Sequence, residues 1–379
     1  MKVTITRSID APRSAVWRLI TDPARMNEWS LAHISLDDPG EGGRPDGVGA
    51  LRSATVRSGP VRSVLREVVE VSEPPSRMVY RVIGGAPVRY HRGEITLARE
   101  GDATRVTWQV EMTFPLPGVE VVTRASVVPQ LEESVARLAE VARGASEVAV
   151  APNAAFDDDV GALDREADAI CEAQRALAAR LEARGDPRHW FARVYSFVTQ
   201  CQLDAARSGR VTHRAWVLRL IPVFHRYYVD NLRRFVGELD GACEPHWEIA
   251  FQRAVPRRGE ALLTTLRASF RDAVRAHIEG DLSRALAEVH ARFYAGRCEL
   301  VRFRADYLLM TPTFREASER FIDALPREYV PIEMRLARRW APAEAVDLVT
   351  TKTFYDYIGA RAAAFERALV LVGERLARS

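Results

Sequence analysis

Residues 104–143 read TRVTWQVEMTFPLPGVEVVTRASVVPQLEESVARLAEVAR, and their hydrophobic period changes once, at PLPG. Before that point the period is two, so Val106, Trp108, Val110, Met112 and Phe114 share one face of an extended strand. Beyond it, from about Val119 to Arg143, Val121, Val122, Ala125, Val128, Leu131, Val135 and Leu138 recur at helical spacing. A strand that runs into one long helix predicts a sheet closed by that helix. Upstream, ALRSATVR, SVLREVVEV, RMVYRVI and YHRGEITLA keep the period of two, and GDATR is a hairpin-turn signal. At the start KVTITRSI alternates, and APRSAVWRLITDPARMNEW carries helical spacing through Val16, Leu19 and Ile20. Pro12 stands near the helix start, where its missing N–H costs nothing. The expectation is an α+β domain over residues 1–145.

That order resembles the START-like superfamily (polyketide cyclases, SRPBCC, the helix-grip fold). The likeness rests on IDAPRSAVWRLITDPARMNEW, REVVEVSEPPSRMVYRVIGGAP and TRVTWQVEM. It implies an antiparallel sheet wrapped on a long C-terminal helix around a cavity for a hydrophobic small molecule. It does not select a role, because this fold hosts carriers, sensors and enzymes.

Between about Arg143 and Gly161, GASEVAVAPNAAFDDDVG loses its period and collects small residues and three aspartates; residues 146–161 read as a linker. Residues 162–379 are then expected to form an all-α domain, with Thr212 as an N-cap, Pro222 kinking its helix, and a last helix from Pro342 to Ala377. WFARVYSFVTQCQLDAARSG, LIPVFHRYYVDNL, HWEIAFQRA and AHIEGDLSRALAEV resemble the all-helical family called domain of unknown function 5995, over about residues 187–325. Its AHI..DL signature falls on Ala276, His277, Ile278, Asp281 and Leu282. The resemblance implies a fold and a conspicuous histidine, without a reaction.

Composition narrows the class. A chain of 379 residues suggests two domains, and 47% hydrophobic residues is ordinary for a protein with a real core. The net charge of +3, dispersed basic residues and absence of an aromatic stacking pattern argue against nucleic acid. Cys171, Cys201, Cys243 and Cys298 lie far apart, which argues against a zinc knuckle and fits reduced thiols. The N-terminus lacks a signal-peptide core, and no apolar run would span a bilayer. There is no phosphate loop, GxSxG elbow, HExxH or dinucleotide fingerprint. We therefore expect a cytoplasmic protein with a hydrophobic small-molecule ligand, no cofactor and no membrane span; a homo-oligomer is left open.

Two groups of residues are candidate sites. In the sheet domain, alternation puts Met78, Tyr80, Trp108 and Met112 inward as ligand contacts. His91 and Arg89 share a face with Ile95 and Leu97, and Glu67 shares one with Leu65, Val69 and Val71. An inward histidine and carboxylate could act as acid and base on an apolar substrate; a bulge at Gly93 would turn His91 outward. In the helical domain His277 and Asp281 share a helix face with Leu266, Phe270 and Val274. The preferred reading is structural: either a buried pair, or Gly280 ending one helix while Asp281 caps the next. Catalysis or ligand binding by His277 and Asp281, with His225, Tyr228 and His246 nearby, is the alternative. A metal, for which none is expected, would have to recruit His225 and His246 with Asp230 or Glu248. Three functions follow: a cyclase- or dehydratase-like enzyme, a carrier or sensor, or chemistry centred on His277.

Overall fold

The computed structural model describes residues 1–58, 61–86, 88–115, 118–150, 159–255, 262–326, 330 and 355–378. By contact the chain divides into two compact units: Met1–Phe156 with Arg297–Asp306, and Asp157–Gly296 with Tyr307–Ser379.

The first unit is an antiparallel sheet with a long helix. Its elements are β1 (Lys2–Ile9), α1 (Arg13–Thr21), α2 (Pro23–Met26), β2 (His33–Asp38), β3 (Leu51–Ser58), β4 (Val61–Glu73), β5 (Arg77–Gly84), β6 (Tyr90–Glu100), β7 (Ala103–Thr113) and α3 (Val119–Ala142). The seven strands lie in the order β1-β7-β6-β5-β4-β3-β2. Every neighbour except β1 and β7 is sequential, as short hairpin connections dictate. The alternation written in the sequence is realised as burial: along β6 inner and outer positions alternate from Tyr90 to Leu97. Ile9, Val16, Trp17, Ile20, Trp29, Met78, Ile95, Leu97, Val106, Leu138 and Ala142 form the core between the inner face and the helices. Trp17 and Trp29 are core residues, their indole N–H groups donating to Asp46 and to the Leu19 carbonyl.

The core fills only one end of this sandwich. Helix α3 buries Ser134, Val135, Leu138 and Ala142, all in its C-terminal half, while Val121 and Val122 are 72% and 73% exposed. On the sheet, Leu65, Val82, Trp108 and Met112 stay partly exposed although they belong to the inner face. One expectation changes here. A register shift between Val69 and Val71 pairs Val71 with Val79, so Val71 leaves the face shared by Leu65, Glu67 and Val69.

The chain returns to this unit late. Arg302 Nη1 donates to Glu41 Oε2 at 2.9 Å, the Gly42 N–H donates to Glu299, and Arg304 bonds both the Gly49 carbonyl and Asp38. Gly49, at φ +85°, leaves room that a Cβ would take from the Val301 carbonyl. At the other end of the unit, Val148 donates to Ser14 Oγ and Val150 lies on the core, so this stretch of the expected linker is docked.

The second unit is helical: α4 (Val160–Ala183), α5 (His189–Arg207), α6 (Arg214–Phe235), α7 (Pro245–Arg253), α8 (Leu262–Arg275), a π-helical turn (Ala276–Asp281), α9 (Leu282–Phe293), α11 (Thr311–Ala324) and α12 (Tyr357–Arg378); α10 (Arg304–Leu309) starts in the first unit and ends in the second. Helices α4 and α5 pack together, α11 lies on α5, and α12 lies on α9. Asp159, the last of the three aspartates read as linker, caps α4 through a bond from the Gly161 N–H. His213 rather than Thr212 is the residue before α6. The start expected for the last helix, at Pro342, lies outside the described residues.

Candidate functional site

On the inner face of the sheet a polar group borders the open apolar end. Arg52 and Glu67 are directly opposed across β3 and β4, with Arg52 Nη2 3.9 Å from Glu67 Oε2. Arg52 is 1% exposed; its guanidinium lies 5.8 Å from the Tyr80 ring centre and donates to Met26 Sδ at 3.7 Å. Burial pushes the Glu67 carboxyl up, against the opposing pull of Arg52. Burial and the neighbouring Glu67 push Tyr80 well above its usual range. The Trp108 indole N–H donates to Tyr80 Oη at 3.1 Å, leaving the phenol its own proton to donate. Arg52 escaped the sequence reading, although it alternates with Ala50 and Ala54 and so had to face inward.

His91 is buried on the same face. The register His91↔Met112, Gly93↔Val110, Ile95↔Trp108 is unbroken, so no bulge turns it out. Gly93 serves its partner instead: a Cβ there would collide with the Tyr80 ring that lies over it. The β5–β6 ladder stops at Tyr80↔Gly93, and the His91 ring takes over the next position, its Nδ1 accepting from the Val82 N–H at 3.3 Å. That bond assigns the ring proton to Nε2. Burial, helped by Arg81, lowers the His91 pKa to about 4. His91 is therefore neutral, with its lone pair engaged and an N–H to offer. Its ring centre lies 5.6 Å from that of Tyr80. Met78 is fully buried in the core, Met112 lies at the open end, and Arg89 is exposed just before β6.

The helical unit brings a second group together. Asp281 is fully buried; its carboxylate accepts from Trp247 Nε1 at 2.8 Å, His246 Nε2 at 3.0 Å and His277 Nδ1 at 3.3 Å. Burial alone would raise its pKa, but these bonds and His277 hold it below the usual carboxylate range. The expectation that Asp281 caps the following helix fails, because its side chain makes no cap bond and the chain continues through the π-helical turn. The buried-pair form of the structural reading is realised. His277 is stacked on Phe224, ring centres 3.5 Å apart and planes 6° from parallel, with Tyr195 edge-on at 4.6 Å. Phe191, Tyr228 and Trp247 complete the surround. Burial keeps His277 neutral, against the pull of Asp281. His225 bonds Gln174 at 3.2 Å, and burial lowers its pKa to about 4.

The metal constellation considered from the sequence is not assembled, since His225 and His246 bond to different partners and neither bonds Asp230 or Glu248. Glu244, His246 and Asp281 do bring three ligand atoms within 4.8 Å of one another. Arg284 Nη1, however, lies 2.5 Å from Glu244 and 3.7 Å from Asp281. A guanidinium thus supplies the positive charge that a metal would bring. No helix among the described residues is long and apolar enough to cross a membrane.

Comparison with known proteins separates the two halves in the same way. A family model described as Polyketide cyclase / dehydrase and lipid transport matches residues 1–143. Similar solved structures include a START superfamily protein from Mycobacterium smegmatis, 16% identical over 37% of this chain and 96% of that one, with a TM-score of 0.32. A protein from Thermus thermophilus is 19% identical over 37% and 93%, with a TM-score of 0.30. One from Thermobifida fusca is 18% identical over 40% and 99%, with a TM-score of 0.31. A second family model matches residues 167–378, more than half of the chain. Through its helical half the chain belongs to the Family of unknown function (DUF5995); its N-terminal unit is similar to the proteins described as Polyketide cyclase / dehydrase and lipid transport.

Proposed function

We propose that the N-terminal unit binds a bulky apolar small molecule at the open end of its sheet–helix sandwich and moves a proton on it. The observation that carries this reading is the buried Arg52–Glu67 pair, set beside Tyr80 and His91 on a face that is otherwise apolar and partly open. Apolar walls with a few convergent polar groups are the usual make-up of a small-molecule site. Desolvation raises the Glu67 pKa against the pull of Arg52, which makes the carboxylate a stronger base. A cyclase- or dehydratase-type step fits these parts. The His91 Nε2–H and the Tyr80 hydroxyl hold a substrate carbonyl oxygen. Glu67 removes the proton from the adjacent carbon, a C=C bond forms, and the departing hydroxyl leaves as water with a proton returned by Glu67. His91 takes part as a donor rather than as the base. The protein works in the cytoplasm, where its cysteines, none of them in a disulfide, remain thiols.

The test begins with mass spectrometry of any small molecule that co-purifies with the full chain, and with titration of an apolar fluorophore. Val82→Trp, which fills the open end, should abolish fluorophore binding. Glu67→Gln keeps the shape of the site, so binding should survive while conversion of the identified ligand falls about 10²-fold or more. If the wild type binds the molecule and never alters it, the unit is a carrier. If Val82→Trp binds as tightly as the wild type, the site lies elsewhere.

A further inference from the structure

The helical unit holds a cleft of about 960 Å³, with α8 and the π-helical turn on one side and the start of α12 on the other. Its lining follows from helical spacing. Arg271, Arg275 and Glu279 succeed one another at intervals of four along one wall, while Gly359, Ala360 and Ala363 share a face of α12 and make a shallow floor. Arg367, one turn beyond Ala363, closes the far end. The acids of this cleft are already engaged. Glu279 Oε1 accepts from the Tyr355 hydroxyl at 3.0 Å, and its Oε2 accepts from Arg275 Nη2 at 3.4 Å. Asp356 accepts from the Gly359 N–H at 2.9 Å, inside the first turn of α12. The arginines are far less committed. Arg271 reaches its neighbour Asp272 at 3.4 Å, and Arg367 donates to the Glu279 carbonyl at 3.3 Å. A guanidinium has five N–H donors, so most of those in the cleft are unspent. Arg275 and Arg367 come from different helices yet are both tied to Glu279, so their charged groups converge. Like charges gathered in a concave site focus the field there and gain by sharing one counter-charge.

We propose that this cleft binds a small phosphomonoester, its phosphate held between Arg275 and Arg367 with Arg271 one turn away, and its organic part laid over Gly359, Ala360 and Ala363. A phosphate suits the arginines better than a carboxylate, because its near-double charge and three acceptor oxygens serve more than one fork-shaped guanidinium at once. The cleft is larger than a free phosphate can fill and has the size usual for a small-molecule site. The floor of glycine and alanine leaves that extra room to the rest of the ligand. This site is independent of the sheet unit and of the proton transfer proposed there.

Phenyl phosphate is the probe, titrated into the full chain by calorimetry, with inorganic phosphate and phenylacetate as comparisons. It should saturate a single site and bind about tenfold or more tightly than either comparison. Arg275→Gln and Arg367→Gln should each weaken it about tenfold or more, since each removes charge-assisted bonds. Ala363→Leu changes an exposed position to another good helix former, so the fold should hold while the floor rises. It should weaken phenyl phosphate and leave inorganic phosphate unchanged. Val82→Trp, in the sheet unit, should bind phenyl phosphate as the wild type does. A wild type that does not saturate overturns the proposal, and so does phenylacetate or inorganic phosphate binding as tightly as phenyl phosphate; these outcomes stand even if a variant fails to fold. An affinity unchanged in both Arg367→Gln and Ala363→Leu overturns it too, because the anion is then held elsewhere.

Discussion

His91 illustrates how a hydrogen bond decides chemistry. Its ring replaces a ladder bond between β5 and β6, so its lone pair belongs to Val82 and its N–H to the site. His91→Asn can still accept from the Val82 N–H through its carbonyl oxygen. We expect about 1 kcal/mol or less of lost stability from that variant and about 1.5–3 kcal/mol from His91→Leu, which strands a half-buried donor. Chemical denaturation reads the difference. Glu67→Leu provides the complementary measurement: removing one partner leaves the Arg52 charge buried and unpaired, at a cost of about 3–5 kcal/mol. The double variant Arg52→Met with Glu67→Leu should recover most of this in the same assay. The three residues were not equally legible. Glu67 and His91 announce themselves as polar residues on apolar strand faces, whereas Arg52 sits in a segment rich in small and polar residues whose alternation is easy to pass over.

At the scale of elements, the strands and α3 were readable because each has a strict period and a buried face. The π-helical turn was not, since a pattern of apolar positions at 100° per residue looks the same whether or not one extra residue is accommodated. The sequence suggested a helix break at Gly280, where the real role of the glycine is to admit an imidazole from α7. That gives a sharp expectation. Gly280→Ala would improve helix propensity by about 1 kcal/mol were the site an ordinary helix. Given the clash with His246 it should instead destabilise the helical unit, by about 1–3 kcal/mol, and free the His246 side chain. A urea midpoint compared with that of His246→Ala/Gly280→Ala measures this, because the added methyl should be far better tolerated once the ring is gone.

At the scale of the whole molecule, both units carry a buried neutral histidine, His91 in one and His225 in the other, each with its pKa near 4. In the unfolded chain these groups titrate near 6.5. The unfolded state therefore binds more protons between those values, and stability must fall as pH drops from about 6.5 to about 4, by on the order of 3 kcal/mol for each histidine. Thermal melts at pH 7, 5.5 and 4.5 should show the decline. His225→Gln should flatten the part of it that belongs to the helical unit. A second expectation concerns the return of Arg297–Asp306 to the sheet unit. A fragment of residues 1–150 lacks those ten residues, so it should melt below the same unit in the full chain. Arg304→Ala in the full chain should reproduce part of that loss, about 2–3 kcal/mol from its bonds to Asp38 and Gly49. No hydrophobic period marks this excursion, because the segment is held by arginines whose carboxylate partners lie some 260 positions earlier.

That separation has a consequence for the birth of the protein. The bond from Arg304 to Gly49 joins residues 255 positions apart. At roughly 5–20 residues per second, a ribosome that has just finished the sheet and its long helix needs on the order of 10–30 s more to emit the arginines that clasp it. Through that interval the loop holding Asp38, Glu41 and Gly49 is exposed without its cover. The nascent sheet must endure alone, or be shielded by a chaperone, until the helical half delivers the missing piece. A stalled chain ending near residue 290 should therefore be cut by protease within residues 38–49, and one ending near residue 350 should resist.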